Sequence, residues 1–156
     1  LQLVPGTDVV LANAIARIIL EKGWEDADFV GNTTTRDDIA LDQDNWRRLA
    51  FGMTFDEFRD FVMGSEVYRL EEAAILTGVP ADRIEKAAEL IAQPNDDGTP
   101  RKTLFTMEQG AIWSINYETV GSLANLAILT GSSGQPGRGI TRGGGHQEGY
   151  VGGAAY

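Results

Sequence analysis

The glycine-rich stretch at 131–149 carries two arginines and the only histidine of the chain. Glycine is used where the backbone must bend unusually or pass close to a ligand. Arg138 and Arg142 could pair with a phosphate or an oxyanion, and His146 could donate or accept a hydrogen bond near neutral pH. A flexible linker is the alternative, but linkers carry few large polar groups. The stretch therefore predicts part of a ligand or cofactor site.

A second candidate lies in the turn Pro5-Gly6-Thr7-Asp8, which follows the apolar residues Leu1–Val4 and precedes a helix. Free N–H groups at a helix N-terminus favour anions. The Asp8 carboxylate could instead accept two hydrogen bonds from the N1–H and N2–H2 edge of a guanine. Alternatively, Asp8 serves only as the N-cap of the helix. The spacing alone does not decide among these three roles.

Several kinds of site are excluded. The chain has no cysteine and one histidine, so zinc sites of usual spacing are absent and no metal ligands are predicted. The glycines match neither the dinucleotide fingerprint nor the phosphate loop. The net charge of -10 argues against nucleic acid as a partner. The apolar run from Val9 to Leu20 contains Asn13 and Arg17 and is too short to span a bilayer.

The elements that would position these residues follow from apolar periodicity and from turn residues. We expect strands at Leu1–Val4 and Leu104–Met107. The predicted helices cover Val9–Lys22 with Gly23 as its end, a segment opened by a Thr54–Glu57 capping box, Leu70–Leu76 stopping at Gly78, Ala81–Ala92, and Thr119–Leu129. Asn32–Asp38 and the region after Gly131 are predicted to be irregular, and Asp44 to cap a short helix.

Strands separated by helices predict an α/β fold with a parallel sheet and crossover helices. The sequence starts at Leu1, within a predicted strand, and it stops at Tyr156 without a packed element. We therefore expect an internal fragment of a longer protein.

Four phrases of the sequence together resemble the molybdopterin oxidoreductases of the dimethyl sulfoxide reductase type. They are Val4-Pro5-Gly6-Thr7-Asp8, Ile75-Leu76-Thr77-Gly78-Val79-Pro80-Ala81, Asn125-Leu126-Ala127-Ile128-Leu129-Thr130-Gly131 and Gln135-Pro136-Gly137-Arg138-Gly139. Each phrase is weak alone, but they occur in the order of the family and cover nearly the whole chain.

Within that family, the segment from Arg142 to Tyr150 is similar to the large subunits of arsenite oxidases, as are Glu108 to Trp113 with Asn116 and Tyr117. The tail from Tyr150 to Tyr156 departs from that pattern, because it lacks an Arg-Pro-Pro sequence. The departure leaves room for a sibling branch, such as an arsenate reductase. A non-enzymatic α/β module that binds a nucleotide is the rival interpretation.

The resemblance implies a Rossmann-like domain, with 1–130 as a partial cofactor-binding domain and 131–156 as a truncated glycine-rich loop at the active site. It implies molybdenum held by two molybdopterin guanine dinucleotides, and an iron–sulfur cluster whose ligands lie outside this sequence. Oxygen-atom transfer would convert arsenite to arsenate in the periplasm. The electrons would pass to a Rieske iron–sulfur small subunit, then to a cytochrome c or cupredoxin.

The resemblance also assigns roles to residues. Arg142 would favour the anionic product and His146 would hydrogen-bond an arsenite hydroxyl, so these two are the expected catalytic residues. The expected cofactor contacts are Gly6, Thr7, Asp8, Gly110, Trp113 and Gln147. We expect the fragment alone to be inactive, since it supplies only part of the pocket.

Overall fold

The computed structural model describes residues 1–34, 53–108 and 117–143 and has the α/β class that the sequence predicts. The helices are α1 (Asp8–Lys22), α2 (Ala27–Thr33), α3 (Phe55–Gly64), a 3-10 turn (Glu66–Tyr68), α4 (Leu70–Thr77), α5 (Ala81–Ala92) and α6 (Tyr117–Leu129). The strands are β1 (Leu104–Met107) and β2 (Gly139–Arg142).

Helix α1 is the centre of the core. Nine of its residues are buried, from Leu11 to Leu20 with Arg17 as the one partly exposed position. The helix packs against α3, α4, α5 and α6. A fully buried isoleucine such as Ile19 contributes about 1.5–3 kcal/mol relative to exposure. The many buried apolar side chains therefore fix the position of α1 and of the turn that precedes it.

The segment at 1–4 is not a strand, contrary to the prediction. The Val4 N–H donates to the Thr77 carbonyl at the end of α4 over 2.9 Å, and Leu1 and Val4 are exposed. The apolar run thus fits a strand by composition, but its backbone bonds are to the end of α4 and within its own turn, through the Thr7 N–H. Gly78, whose φ is +70°, ends α4 in the left-handed conformation that a glycine readily adopts.

The helix end predicted at Gly23 and the helix start predicted at Thr54 are confirmed, whereas α6 begins at Tyr117, two residues before the predicted Thr119. Gly23 closes α1 with a φ of +64°. At the start of α3 the Thr54 hydroxyl accepts from the Glu57 N–H over 3.2 Å, and the Glu57 carboxylate accepts from the Thr54 N–H over 2.9 Å. This is the predicted capping box. A further boundary is wrong, because α2 extends through Asn32 and Thr33 into the predicted loop. The helix predicted after Asp44 lies outside the described residues.

The sheet contains two parallel strands in the described part of the chain, paired in register from Leu104 with Gly139 to Met107 with Arg142. Strand β1 has the predicted bounds, and α6 is the crossover helix between the strands. Strand β2 was not predicted, because its four residues include a glycine and lack a periodic apolar pattern. Two strands do not define a strand order, so the Rossmann-like arrangement stays a prediction.

Candidate functional site

The carboxyl edge of the sheet is formed by the ends of β1 and β2. The Gly143 N–H donates to the Met107 carbonyl over 2.9 Å and extends the pairing by one residue. Glu108, the first residue after β1, places Oε2 3.8 Å from the point where a Gly143 Cβ would stand. The structure thus brings a carboxylate beside the chain that leaves Arg142, and in open parallel sheets ligands bind at this edge.

From the packing of α1 against α6 we infer that the N-terminus of α1 lies on the same side of the molecule as this edge. The Asp26 N–H, just after α1, donates to the Leu129 carbonyl at the end of α6 over 2.7 Å. Since α1 packs along α6 and the two helices end together, their N-termini point the same way. Helix α6 starts after the carboxyl end of β1, so the edge and the turn before α1 share that side.

The turn before α1 has the geometry that the Pro-Gly pair predicts. The Thr7 N–H donates to the Val4 carbonyl over 3.2 Å, and Gly6 between them has a φ of +86°. Proline second and a left-handed glycine third are typical of a type II turn. The predicted contact residues Gly6, Thr7 and Asp8 are therefore held together at the start of α1.

The polar groups at this helix end are available to a ligand. Thr7 occupies the N-cap, but its hydroxyl donates to the Val4 carbonyl over 2.6 Å and makes no cap bond to the helix. Asp8 is the first helical residue, so the interpretation of Asp8 as the N-cap is wrong. Its half-buried carboxylate has no hydrogen-bond or ion-pair partner among the residues that the structure describes. A helix N-terminus carries partial positive charge, which favours an anion or a carboxylate there.

The predicted catalytic and cofactor residues are placed only in part. The backbone of Arg142 ends β2 at the carboxyl edge. Gly110, Trp113, His146 and Gln147 lie outside the described residues. Thr7 and Asp8 share a side of the molecule with the backbone of Arg142, and no backbone hydrogen bond joins them among the described residues.

Two residues of interest were missed or underrated from the sequence. Glu108 at the carboxyl edge was noticed only as part of a similar phrase, although its place directly after an apolar strand is a usable signal. Arg138, for which the sequence suggests only pairing with a phosphate or an oxyanion, has a buried Nη1 with no hydrogen-bond partner among the described residues. The glycine-rich sequence around Arg138 predicts an exposed loop, so the burial of this guanidinium nitrogen could not be predicted from it.

Across residues 1–34, 53–108 and 117–143, no three histidine or carboxylate side chains come together as metal ligands. In the same residues, no helix has the length and apolar character needed to cross a membrane.

No protein-family model matches the sequence. Individual proteins do match it along nearly its whole length. The iodate reductase subunit IdrA of Pseudomonas sp. (strain SCT) is 40% identical over 160 residues, which cover 96% of this chain and 18% of that protein. The IdrA subunit of Denitromonas iodatirespirans is 41% identical with the same coverage. The arsenite oxidase subunit AioA of Herminiimonas arsenicoxydans is 32% identical over 148 residues, 94% of this chain and 15% of that protein.

The chain is homologous to one segment of the molybdopterin oxidoreductases of the dimethyl sulfoxide reductase family. It spans less than a fifth of the length of these curated relatives. The molybdopterin oxidoreductase relationship inferred from the four phrases is confirmed. The narrower assignment to arsenite oxidases is not confirmed, because the IdrA subunits share more identity with this chain than AioA does.

Proposed function

We propose that this chain forms part of the cofactor and substrate site of a molybdenum oxidoreductase that transfers an oxygen atom to or from a small inorganic oxyanion. The observation that carries the proposal is the 40% identity to an iodate reductase subunit over 96% of the chain. The turn before α1 and the carboxyl edge of the sheet lie on one side of the fold, and this arrangement supports the proposal.

The described residues fit a molybdopterin guanine dinucleotide. Asp8 offers a carboxylate that has no partner in the described part of the chain, which suits the two N–H donors of a guanine edge. The free N–H groups of the first turn of α1 suit a ribose or phosphate oxygen. Thr7 and Asp8 would therefore hold the nucleotide end, with Gly6 permitting close approach. Gly110, Trp113 and Gln147 are proposed as further contacts.

When bound, the molybdenum centre supplies the two-electron chemistry of oxygen-atom transfer. Arg142 would stabilise the negative charge of the oxyanion, and His146 would hydrogen-bond a substrate hydroxyl or oxygen and move a proton. In reduction of iodate, one iodine–oxygen bond breaks and the released oxygen leaves as water, with two electrons and two protons consumed. In oxidation of arsenite, arsenic gains an oxygen that comes from water, and the same numbers of electrons and protons are released.

Iodate is the favoured substrate, because the iodate reductase subunits share 40–41% identity with the chain and the arsenite oxidase subunit shares 32%. Arsenite is the second candidate, because Arg142 and His146 have the spacing that the arsenite oxidase resemblance implies. In either case the longer protein would carry an iron–sulfur cluster. It would exchange electrons with a Rieske-type small subunit and, beyond it, a cytochrome c or cupredoxin in the periplasm.

The test uses the full-length protein that contains these residues, purified with its molybdenum content measured. Consumption of iodate with reduced methyl viologen and oxidation of arsenite with dichlorophenolindophenol are assayed in parallel. We expect iodate to be consumed. Arsenite oxidation without iodate reduction would establish the second candidate. Fully loaded protein that acts on neither substrate would overturn the proposal.

The site residues are tested in the same protein. His146→Ala should lower turnover by about 10²–10³-fold, the usual cost of losing one electrostatic contact to the transition state, with molybdenum content unchanged. Arg142→Lys keeps the charge but loses the bidentate geometry, so it should fall between wild type and Arg142→Ala. Wild-type turnover in His146→Ala would remove that residue from the mechanism.

A further inference from the structure

The amino edge of the sheet, opposite the candidate site, carries two positive charges in contact with a glycine turn. Arg138 directly precedes β2, and one of its guanidinium nitrogens, Nη1, is buried without a hydrogen-bond partner in residues 1–34, 53–108 and 117–143. The Lys102 side chain lies over Gly137, with Nζ 4.0 Å from the point where a Cβ would stand. The two cations therefore flank the same turn.

Neither cation is neutralised within the part of the chain that the structure describes. Five other basic residues there form ion pairs, namely Arg17, Lys22, Arg69, Arg83 and Lys86. Lys102 and Arg138 form none among the described residues, although acidic residues outnumber basic ones by 23 to 13 in the chain. Arg59 and Arg101 also form no ion pair there, but Arg101 donates to the Gln93 carbonyl. An unpaired basic surface on an acidic protein complements a negatively charged group, and a buried guanidinium nitrogen requires a partner.

An apolar side chain lies next to these charges. Leu104 is 59% exposed, and its Cδ1 is 3.8 Å from the Cβ position of Gly139. Exposed apolar surface beside an unpaired cation is typical of a protein interface, because a protein partner covers both. A free ion would pair with the cation but would leave the apolar surface in water. We call Lys102, Leu104 and Arg138 together the amino-edge surface.

We propose that the amino-edge surface is an interface with another segment of the same, longer polypeptide, which places an aspartate or glutamate against Arg138 and Lys102. The relatives leave room for such a segment, since this chain corresponds to 18% of the iodate reductase subunit. The location argues against a cofactor phosphate as the partner, because ligands of parallel sheets bind at the carboxyl edge. The inference depends on the homology and not on which oxyanion is the substrate.

Zero-length carbodiimide cross-linking of the full-length protein tests the proposal, since this reagent joins a lysine amine only to a carboxylate in contact with it. Mass spectrometry of the digest should find Lys102 joined to an aspartate or glutamate outside these 156 residues. The Lys22–Glu85 pair, with Nζ and Oε1 3.5 Å apart, is the internal positive control. Arg138→Gln should diminish the Lys102 cross-link and leave the control pair unchanged, while Arg138→Lys should add a second cross-link to the same peptide.

Three results would overturn the inference. One is the absence of a Lys102 cross-link in protein where Lys22 and Glu85 are joined. Another is a Lys102 cross-link to a residue within 1–156 or to a separate subunit. The third is a rise in the melting temperature with millimolar inorganic phosphate that Arg138→Gln abolishes, which would assign the surface to a free anion. None of these readouts depends on oxyanion turnover, so they are independent of the proposed function.

Discussion

Replacement of Gly131 by alanine is predicted to destabilise the protein more than replacement of the neighbouring Gly134. Both glycines are left-handed, with φ of +60° and +68°. An added Cβ at Gly131 would meet the Asp26 side chain, 2.8 Å from Cγ and 3.0 Å from Cβ, and closer still to Oδ2. An added Cβ at Gly134 would meet nothing within 4 Å. The pair therefore separates backbone strain from steric overlap.

The magnitude follows from what Asp26 does. Its Oδ1 accepts from the Phe29 N–H over 3.0 Å and caps α2, and its own N–H ties α1 to the end of α6. A left-handed non-glycine residue costs about 1–2 kcal/mol. Displacement of the cap adds about 1 kcal/mol, and overpacking adds about 1–3 kcal/mol. We therefore expect a loss of about 3–6 kcal/mol for Gly131→Ala, and about 1–2 kcal/mol for Gly134→Ala.

Urea unfolding followed by circular dichroism measures both variants, together with Asp26→Ala and the double variant. Since Asp26→Ala removes the overlapping carboxyl group, adding Gly131→Ala to it should cost less than it costs in the wild type. Equal losses of stability in Gly131→Ala and Gly134→Ala would refute the reasoning. Additive losses in the double variant would also refute it.

Three further predictions concern the caps, a titrating loop and the cofactor. Thr54→Ala should lower the free energy of unfolding by about 1 kcal/mol in the same urea assay, with Thr54→Ser close to wild type, because only alanine removes the capping oxygen. In the loop after α5, the Thr99 hydroxyl and then its N–H donate to Asp97 and hold the pKa of that carboxyl below its ordinary 3.8. Thr99→Val should therefore raise the Asp97 pKa in an NMR titration. Since the folded pKa is the lower one, any linked stability is present above the ordinary value and is lost as pH falls through the lowered pKa. Asp8→Ala in the full-length protein should reduce guanine and molybdenum content together, while Asp97→Ala should not; normal loading in Asp8→Ala would make Asp8 a purely structural residue.

The sequence predicted those parts of the fold that depend on local signals. Gly23, Gly78 and the Thr54–Glu57 pair mark helix ends through their own conformation or hydrogen bonds, so their prediction needed no tertiary information. Strand β2 depends on pairing with β1, which is remote in sequence, and a short segment such as Gly139–Arg142 gives no period to detect. The strand predicted at 1–4 was wrong, because the apolar pattern does not show that Val4 bonds to Thr77 at the end of α4.

In the candidate site, too, the features that depend on local sequence were predictable and those that depend on tertiary contacts were not. The turn at Pro5 and Gly6 was predictable, because these two residue types favour it by their own conformation. That turn places Thr7 and Asp8 at the start of α1. The place of Asp8 inside the first turn of α1, rather than at the N-cap, was not predictable, because it depends on the residue at which the helix begins. The position of Glu108 beside Gly143 required the pairing of β1 with β2.

The choice of cap has a consequence for how the site would bind a nucleotide. A threonine that accepted from the first turn of α1 would satisfy one of its free N–H groups and leave fewer donors for a ligand. Because the Thr7 hydroxyl donates to Val4 instead, those groups and the Asp8 carboxylate stay available at the end of the most buried helix. A helix held by so much buried surface cannot shift to find its ligand, so donors and acceptor are preorganised before binding. Loss of Asp8 should therefore weaken cofactor retention without unfolding α1, and an unchanged helical circular dichroism signal in Asp8→Ala distinguishes this from a structural defect.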